Sequence, residues 1–203
     1  MQYPKSFVLH VPNYFKLVSK RWCRLLAKQI TFPTSCPIIV HGVNVREPQD
    51  VQLFGDSNTM GLAYGPLKCE PLPMPPILLH ICQVLELFCA KLLGSHLPEH
   101  ADLNLVLVNR YLNGQDSMGP HADTESGLGL IPFIVSLSLG SARWFQFKHK
   151  ITKEVKKIFL DDGSLIIMVG WDIQKNWKHG LPKTKKPCKE RWNLSYRYHK
   201  QKQ

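Results

Sequence analysis

The period of the hydrophobic positions changes near residue 100. Between residues 11 and 30, Phe15, Leu17, Trp22, Leu25, Leu26 and Ile30 recur mostly at helical spacing and predict an amphipathic helix. Residues 31–76 are punctuated by Pro33, Pro37, Pro48, Pro66, Pro71, Pro73, Pro75 and Pro76, a pattern of short strands and loops. From Ile77 to Leu92, "ILLHICQVLELFCAKL" has a broad aliphatic face and few turn residues, the strongest helix signal in the chain. After Pro98 the pattern becomes that of strands: "LNLVLVNRYL" (103–112), "FIVSLSLG" (133–140), "ARWFQFKH" (142–149), "KKIFL" (156–160), "GSLIIMVG" (163–170) and "RWNLSYRYH" (191–199). The Asp161-Asp162-Gly163 sequence between the fourth and fifth of these predicts a hairpin. Helices first and at least five strands afterwards give a mostly β chain with N-terminal helices, an α+β arrangement of helices against a β sandwich or open barrel. No βαβ rhythm, phosphate-binding loop, GxGxxG or internal repeat is present.

At 203 residues the chain suits one domain with one substantial core. No apolar run approaches the roughly 18 residues that span a bilayer, and no signal-peptide core opens the chain. These features predict an intracellular protein, nuclear or cytoplasmic, that is not bound to membrane. Cys23, Cys36, Cys69, Cys82, Cys89 and Cys188 are scattered without a CxxC pair, the pattern of free thiols in a reducing compartment. Lysines and arginines number 26 against 15 acids, a net charge of +11. This favours an acidic partner, nucleic acid before an anionic membrane. Much of the excess lies in "KHKITKEVKK" (148–157) and "KTKKPCKER" (183–191), either of which also suits a solvated face.

In "PHADTE", His121 and Asp123 are two apart, so in an extended segment both point to one face, and Glu125 continues it. His179 in "WKHGLP" is the best-placed third ligand. Two imidazoles and one carboxylate suit non-haem Fe(II) with positions left open, and the same residues suit zinc with a water. In "RWNLSYR", Arg191, Asn193, Ser195 and Arg197 share one face while Trp192, Leu194 and Tyr196 take the other. Two buried arginines require an anion, so the polar face reads either as a clamp for a small dicarboxylate or as a solvated sheet face. Leu105, Leu107, Asn109 and Tyr111 form a similar face that turns polar just before the HxD segment.

Taken in order, "LVNRYLNGQDSMGPHADTE", "VSLSLGSARWFQFKH", "DDGSLIIMVGWDIQKNWKHGLPK" and "RWNLSYR" resemble the AlkB family of Fe(II)/2-oxoglutarate-dependent nucleic-acid dealkylases, nearest its DNA-repair-like branch, over roughly residues 38–199. The resemblance implies a double-stranded β-helix (jelly-roll) core at 96–199. It places N-terminal helices and a nucleotide-recognition lid within 1–95, in a single domain spanning 1–203. His121, Asp123 and His179 match the catalytic iron triad. Asn109, Tyr111 and Arg191 match positions that hold the distal carboxylate of 2-oxoglutarate, Arg197 matches the second arginine and Asn193 a supporting position. "VREPQDVQLFGD" (45–56) resembles the family's Pro-Arg…Tyr-Gly-Asp segment, and "LAYGP" (62–66) a shortened, less aromatic Tyr-x-Tyr-Ser-Gly lid. On this resemblance Tyr64 stacks on the damaged base opposite His121, and Glu125 contacts the exocyclic amine side of the base. Arg46 is a lid or phosphate contact, and Arg143 lies near the substrate channel.

The implied activity is oxidative demethylation of 1-methyladenine or 3-methylcytosine in DNA or RNA, with O2 as co-substrate. It is coupled to conversion of 2-oxoglutarate to succinate and CO2 and releases formaldehyde. A monomer acting on single strands, with duplex also admitted, follows from the need to unstack the base. Two other readings compete with this one: a 2-oxoglutarate-dependent hydroxylase of a protein or small molecule, and an inactive nucleic-acid-binding module.

Overall fold

The computed structural model describes residues 6–32, 37–40, 43–46, 49–59, 61–64 and 67–201, without the side chains of 37–40, 43–46, 62–64, 67–69 and 126. The chain begins with strand β1 (Phe7–Val11) and helix α1 (Lys16–Gln29). Two short antiparallel ribbons follow, β2 (Pro37–Val40) with β3 (Val43–Arg46), and β5 (Leu62–Tyr64) with β6 (Leu67–Cys69); β4 (Asp50–Gly55) lies between them. After β7 (Leu72–Pro73) comes helix α2 (Pro76–Leu93), with proline at its first position, where no helical N–H is lost. Then come β8 (Leu105–Tyr111), β9 (Met118–His121), β10 (Phe133–Gly140), β11 (Arg143–His149), β12 (Val155–Leu160) and β13 (Ser164–Val169). Helix α3 (Trp171–Asn176), β14 (Trp177–Leu181) and β15 (Arg191–Arg197) complete the chain.

Two sheets result. The larger has the order β1-β13-β10-β15-β8-β4-β7 and the smaller β12-β11-β14-β9. Strand alternation sorts the large sheet into two faces. Trp192, Leu194 and Tyr196 of β15, Val106 and Val108 of β8 and Val135 and Leu137 of β10 point to the helices and join one apolar core with Trp22, Leu26, Leu78 and Leu85. The opposite face carries Ile134, Ile166 and Met168, which meet Phe147 and Leu160 of the small sheet in a second cluster. Helices, large sheet and small sheet are therefore three layers, and the polar half of each alternation is directed between the two sheets.

Three expectations are corrected. The Asp161-Asp162-Gly163 turn closes no hairpin: β12 pairs with β11 in the small sheet, whereas β13 pairs with β1 and β10 in the large one. The turn is held by other elements. Gly163, at φ +77°, donates to Ser138 O at 2.8 Å, and its carbonyl accepts from Phe15 N at 2.9 Å, while Asp162 accepts from Gly140 N and Ser19 Oγ. The burial of β13 throughout its length is the reason: such a strand takes a central place, while exposed β12 takes an edge. The first helix starts five residues later than its pattern suggested, because Phe7–Val11 pairs with β13 instead, and Leu17 is 98% exposed. The segment Pro76–His96 does have the length and hydropathy of a membrane span. Ile77, Leu78, Ile81, Cys82, Leu85, Cys89 and Leu93 form one buried stripe on α2, and this stripe packs on the large sheet. The large sheet also takes β4 and β7 from the segment 31–76, where short strands were expected, and β1 from before it.

Four of the six cysteines can be compared with the expectation of free thiols; Cys36 and the side chain of Cys69 lie outside the described residues. Cys23, Cys82, Cys89 and Cys188 are unpaired among the described residues. Burial pushes the thiols of Cys82 and Cys89 up to about 12 and that of Cys23 to about 11, so all three stay protonated and unreactive near neutral pH.

Candidate metal centre and diacid clamp

Strand pairing assembles the centre. β9 and β14 are antiparallel neighbours with His121 directly opposite His179, and Asp123 follows two residues after His121. The imidazole rings lie 4.4 Å apart between centroids. One ligand atom from each of His121, Asp123 and His179 lies within 4.8 Å of the others. The HxD pair and the distant histidine are thus one cluster.

Each of the three is oriented by a neighbour. His121 Nδ1 lies 2.9 Å from Gly119 O, which fixes the protonated nitrogen and leaves Nε2 as the lone-pair donor. Asp123 Oδ2 is 3.3 Å from His179 Nε2, and Oδ1 accepts from Arg197 at 3.1 Å. The backbone N–H of Asp123 donates to Gln174 Oε1 of α3 at 2.9 Å. Burial by itself would raise the Asp123 carboxyl, but Arg197 and the two histidines outweigh it and hold the group far below the usual carboxylate range. Burial, with His179 beside it, lowers His121 and favours the neutral ring that a metal needs. Glu125 accepts from the same Arg197 nitrogen group at 3.1 Å, and burial, aided by Asp123, raises its carboxyl.

The second half of the site lies on β15 and β8. Cross-strand register sets Arg191 opposite Tyr111 and Asn193 opposite Asn109. Together with Ser136, Ser195 and Arg197 these side chains line a cavity between the sheets that also receives His121, Asp123 and His179. Arg191 is 2% exposed, donates to Ser138 Oγ at 2.7 Å and holds its guanidinium 5.3 Å from the Tyr111 ring. It forms no ion pair among the described residues, and burial lowers its pKa to about 10. Asn193 Nδ2 donates to Ser136 Oγ at 2.8 Å and to Leu137 O at 3.1 Å.

The donor set fits Fe(II) and a diacid. Asn109 Oδ1, His179 Nδ1, Arg191 Nε and Glu125 Oε2 are buried without a hydrogen-bond partner among the described residues. Each such group costs about 1–3 kcal/mol, and three of them, on Asn109, His179 and Arg191, belong to residues that line the one cavity. An unpaired cation at one side and two imidazoles with a carboxylate at the other match an anion and a metal. The space measures about 30 Å³, room for about one water. A five-carbon diacid therefore enters only as lining side chains turn aside, and the lining includes two flexible thioethers, Met118 and Met168.

The remaining expected residues fall elsewhere. Arg143 does not reach the cavity: it is 3% exposed and its guanidinium donates to the carbonyls of Asn113 at 3.1 Å, Asp116 at 3.1 Å and Pro182 at 2.7 Å. It ties the β8–β9 loop to the β14–β15 loop. Replacing Arg143 with methionine should lower unfolding stability by about 3 kcal/mol by stranding those carbonyls, as denaturant titration would show; an unchanged midpoint would contradict the clamp. Tyr64 and Arg46 stand on β5 and β3, where their side chains lie outside the described residues. Gln174, Ser136 and Ser138 were not foreseen. Gln174 sits in "WDIQKN" with nothing to distinguish it, whereas the two serines form the polar half of the alternation in "FIVSLSLG" and were in principle readable.

The model of the 2OG-Fe(II) oxygenase superfamily matches residues 8–199. The chain belongs to this superfamily. Within it the chain is closely related to AlkB-type proteins. It is 33% identical over 160 residues to the DNA oxidative demethylase ALKBH2 of Bos taurus, covering 74% of this chain and 52% of that protein. The human protein of that name is 37% identical over 160 residues, 74% of this chain and 56% of the relative. The alkB homolog 3 dioxygenase of Bos taurus is 31% identical over 167 residues, 76% and 53% respectively. The chain spans about half the length of these curated relatives. Among solved structures, OsALKBH1 superposes with a TM-score of 0.56 at 20% identity, covering 97% of this chain and all of that one. A 2OG-Fe(II) oxygenase from Burkholderia pseudomallei superposes with a TM-score of 0.60 at 16% identity, over 95% and 85%. At these identities the likeness is one of fold, and the fold is the superfamily's double-stranded β-helix. The triad of the superfamily falls on His121, Asp123 and His179.

Proposed function

We propose that the protein is an Fe(II)/2-oxoglutarate-dependent demethylase of N-alkylated bases, 1-methyladenine and 3-methylcytosine, in DNA or RNA. The observation that carries this reading is the shared cavity, with the His121–Asp123–His179 cluster at one side and the unpaired, buried Arg191 at the other. His121, Asp123 and His179 would hold the iron. Arg191, Asn109 and Tyr111 would take the far carboxylate of 2-oxoglutarate, with Asn193 and Arg197 in support. Iron and 2-oxoglutarate together supply, when bound, the O2-dependent hydroxylation of a methyl carbon that ends in succinate, CO2 and formaldehyde.

The chain's own part is positional. Gly119 O fixes the His121 ring, and Arg197 fixes the Asp123 carboxylate, so neither must reorganise as charge changes in the site. Leu107, Phe145, Ile166 and Met168 exclude water from the remaining wall. Glu125, held by Arg197, is the proposed contact to the exocyclic amine of the base. Tyr64 is the proposed stacking ring, Arg46 a lid or phosphate contact, and Arg143 acts through the loops it joins. Residues 1–203 are taken as one catalytic unit, with recognition drawn from 1–95 and the clamp from 96–199. The described free thiols suit an intracellular setting, nuclear or cytoplasmic.

The relatives named as demethylases and the charge of +11 support nucleic acid as the substrate class. Formaldehyde release from single- and double-stranded DNA and RNA carrying either base, with Fe(II) and 2-oxoglutarate supplied, tests the reading. Release that depends on the methyl group and is greater on single strands is expected. Turnover of 2-oxoglutarate that no methylated strand stimulates would overturn the choice of substrate.

A further inference from the structure

The outer face of the small sheet takes no part in the cavity. Along β11, Phe145 and Phe147 point inward to the second apolar cluster, so Trp144, Gln146 and Lys148 take the opposite face. Register places Phe159 across from Trp144, Lys157 across from Gln146 and Lys178 across from Lys148. Trp144 is 48% exposed and Phe159 42%, with ring centroids 5.0 Å apart. Two large rings held together in solvent on a rigid strand face add nothing to the core and mark a contact surface.

The charge around the rings has one sign. A depression of about 570 Å³ has Trp144 and Phe159 in its wall beside Lys157, Lys183 and Lys186. A second, about 490 Å³, is bordered by Lys148, Lys150, Lys153 and Lys178. No carboxylate lines either among the described residues. Like charges directly opposite across a strand pair, as in Lys148 and Lys178, are destabilising unless an anion meets them, and the pair suits a surface that does.

We propose that this face is a platform for single-stranded nucleic acid, separate from the cavity that takes the methylated base. One or more bases stack on the Trp144–Phe159 pair while the flanking lysines meet phosphates. The rings and the cations together select this occupant: an acidic peptide matches the lysines but has no use for an exposed indole face, and stacking is sequence-tolerant because every base has a π-face. The partner class rests on the proposed function, but the platform is tested apart from it with strands that carry no methyl group.

The experiment is fluorescence anisotropy of a labelled, unmethylated oligothymidine strand on the full chain. The double variant Trp144→Ala, Phe159→Ala should bind about tenfold more weakly, and Trp144→Tyr should bind nearly as the parent does. The parent should bind an abasic strand about as weakly as the double variant binds oligothymidine. Lys157→Ala should flatten the salt dependence. Unchanged 2-oxoglutarate binding in the double variant would show an intact fold. Equal affinity of parent and double variant would overturn the proposal, as would equal affinity of the parent for abasic and normal strands. Tighter binding of polyglutamate or phosphatidylserine vesicles through the same residues would overturn the choice of occupant. Strand binding that survives when methylated strands yield no formaldehyde would sink the demethylase reading and leave the platform standing.

Discussion

Replacement of Asp123 by alanine is expected to abolish turnover and to weaken Fe(II) binding by at least about 100-fold, the upper range seen when merely an outer partner of a ligand is lost. The carboxylate stands between His179 Nε2 at 3.3 Å and Arg197 at 3.1 Å, and it supplies the hard anionic donor beside two imidazoles. Its loss leaves Arg197 still paired with Glu125, so the cation is not stranded and the variant should fold. Asp123→Asn, which keeps the shape and removes the charge, should lose iron nearly as completely. Metal titration followed by isothermal calorimetry separates these outcomes. Retained turnover in the alanine variant would contradict the assignment of this residue.

Replacement of Arg191 by methionine should have two opposite effects. Affinity for 2-oxoglutarate should fall by about 100-fold or more, because a buried, unpaired guanidinium is the natural partner of the far carboxylate. Stability without 2-oxoglutarate should rise. Burial depresses the Arg191 pKa to about 10. A base that is depressed in the folded state costs stability at every pH below its folded value, and the cost fades only as pH climbs past that value toward the unfolded one. Near neutral pH it amounts to about 3 kcal/mol, less about 1 kcal/mol for the hydrogen bond lost to Ser138. The variant should therefore melt about 5 °C higher than the parent, and added 2-oxoglutarate with Fe(II) should raise the melting point of the parent alone. A variant less stable than the parent, with an unchanged 2-oxoglutarate requirement, would contradict both parts.

The site was more legible in the sequence than the path of the chain through the sheets. In "RWNLSYR" each side chain goes where period two sends it, because β15 is central and paired along its whole length with β8 and β10. Burial on both faces forces the polar and apolar halves apart, and the sequence records the separation. Asn109 and Tyr111 were readable for the same reason. The Asp161-Asp162-Gly163 turn misled because a tight turn with glycine at positive φ specifies local geometry only. Which sheet receives the next strand is decided by the burial of β13 and by bonds from Ser138, Phe15, Gly140 and Ser19, all distant in sequence. β1, β9 and β14 escaped notice because they are four or five residues long and their pairing is supplied by partners far along the chain. The contacts of Arg143 were hidden for a related reason: its neighbours are carbonyls of the β8–β9 and β14–β15 loops, which no local pattern displays.

The central claim is that one cavity holds Fe(II) on His121, Asp123 and His179 and 2-oxoglutarate on Arg191. Calorimetric titration of 2-oxoglutarate into the Fe(II)-loaded full chain without oxygen tests it most directly. The parent should bind one equivalent, Asp123→Ala should bind none in an iron-dependent manner, and Arg191→Met should bind at least about 100-fold more weakly. Iron-independent binding that neither substitution changes would contradict it.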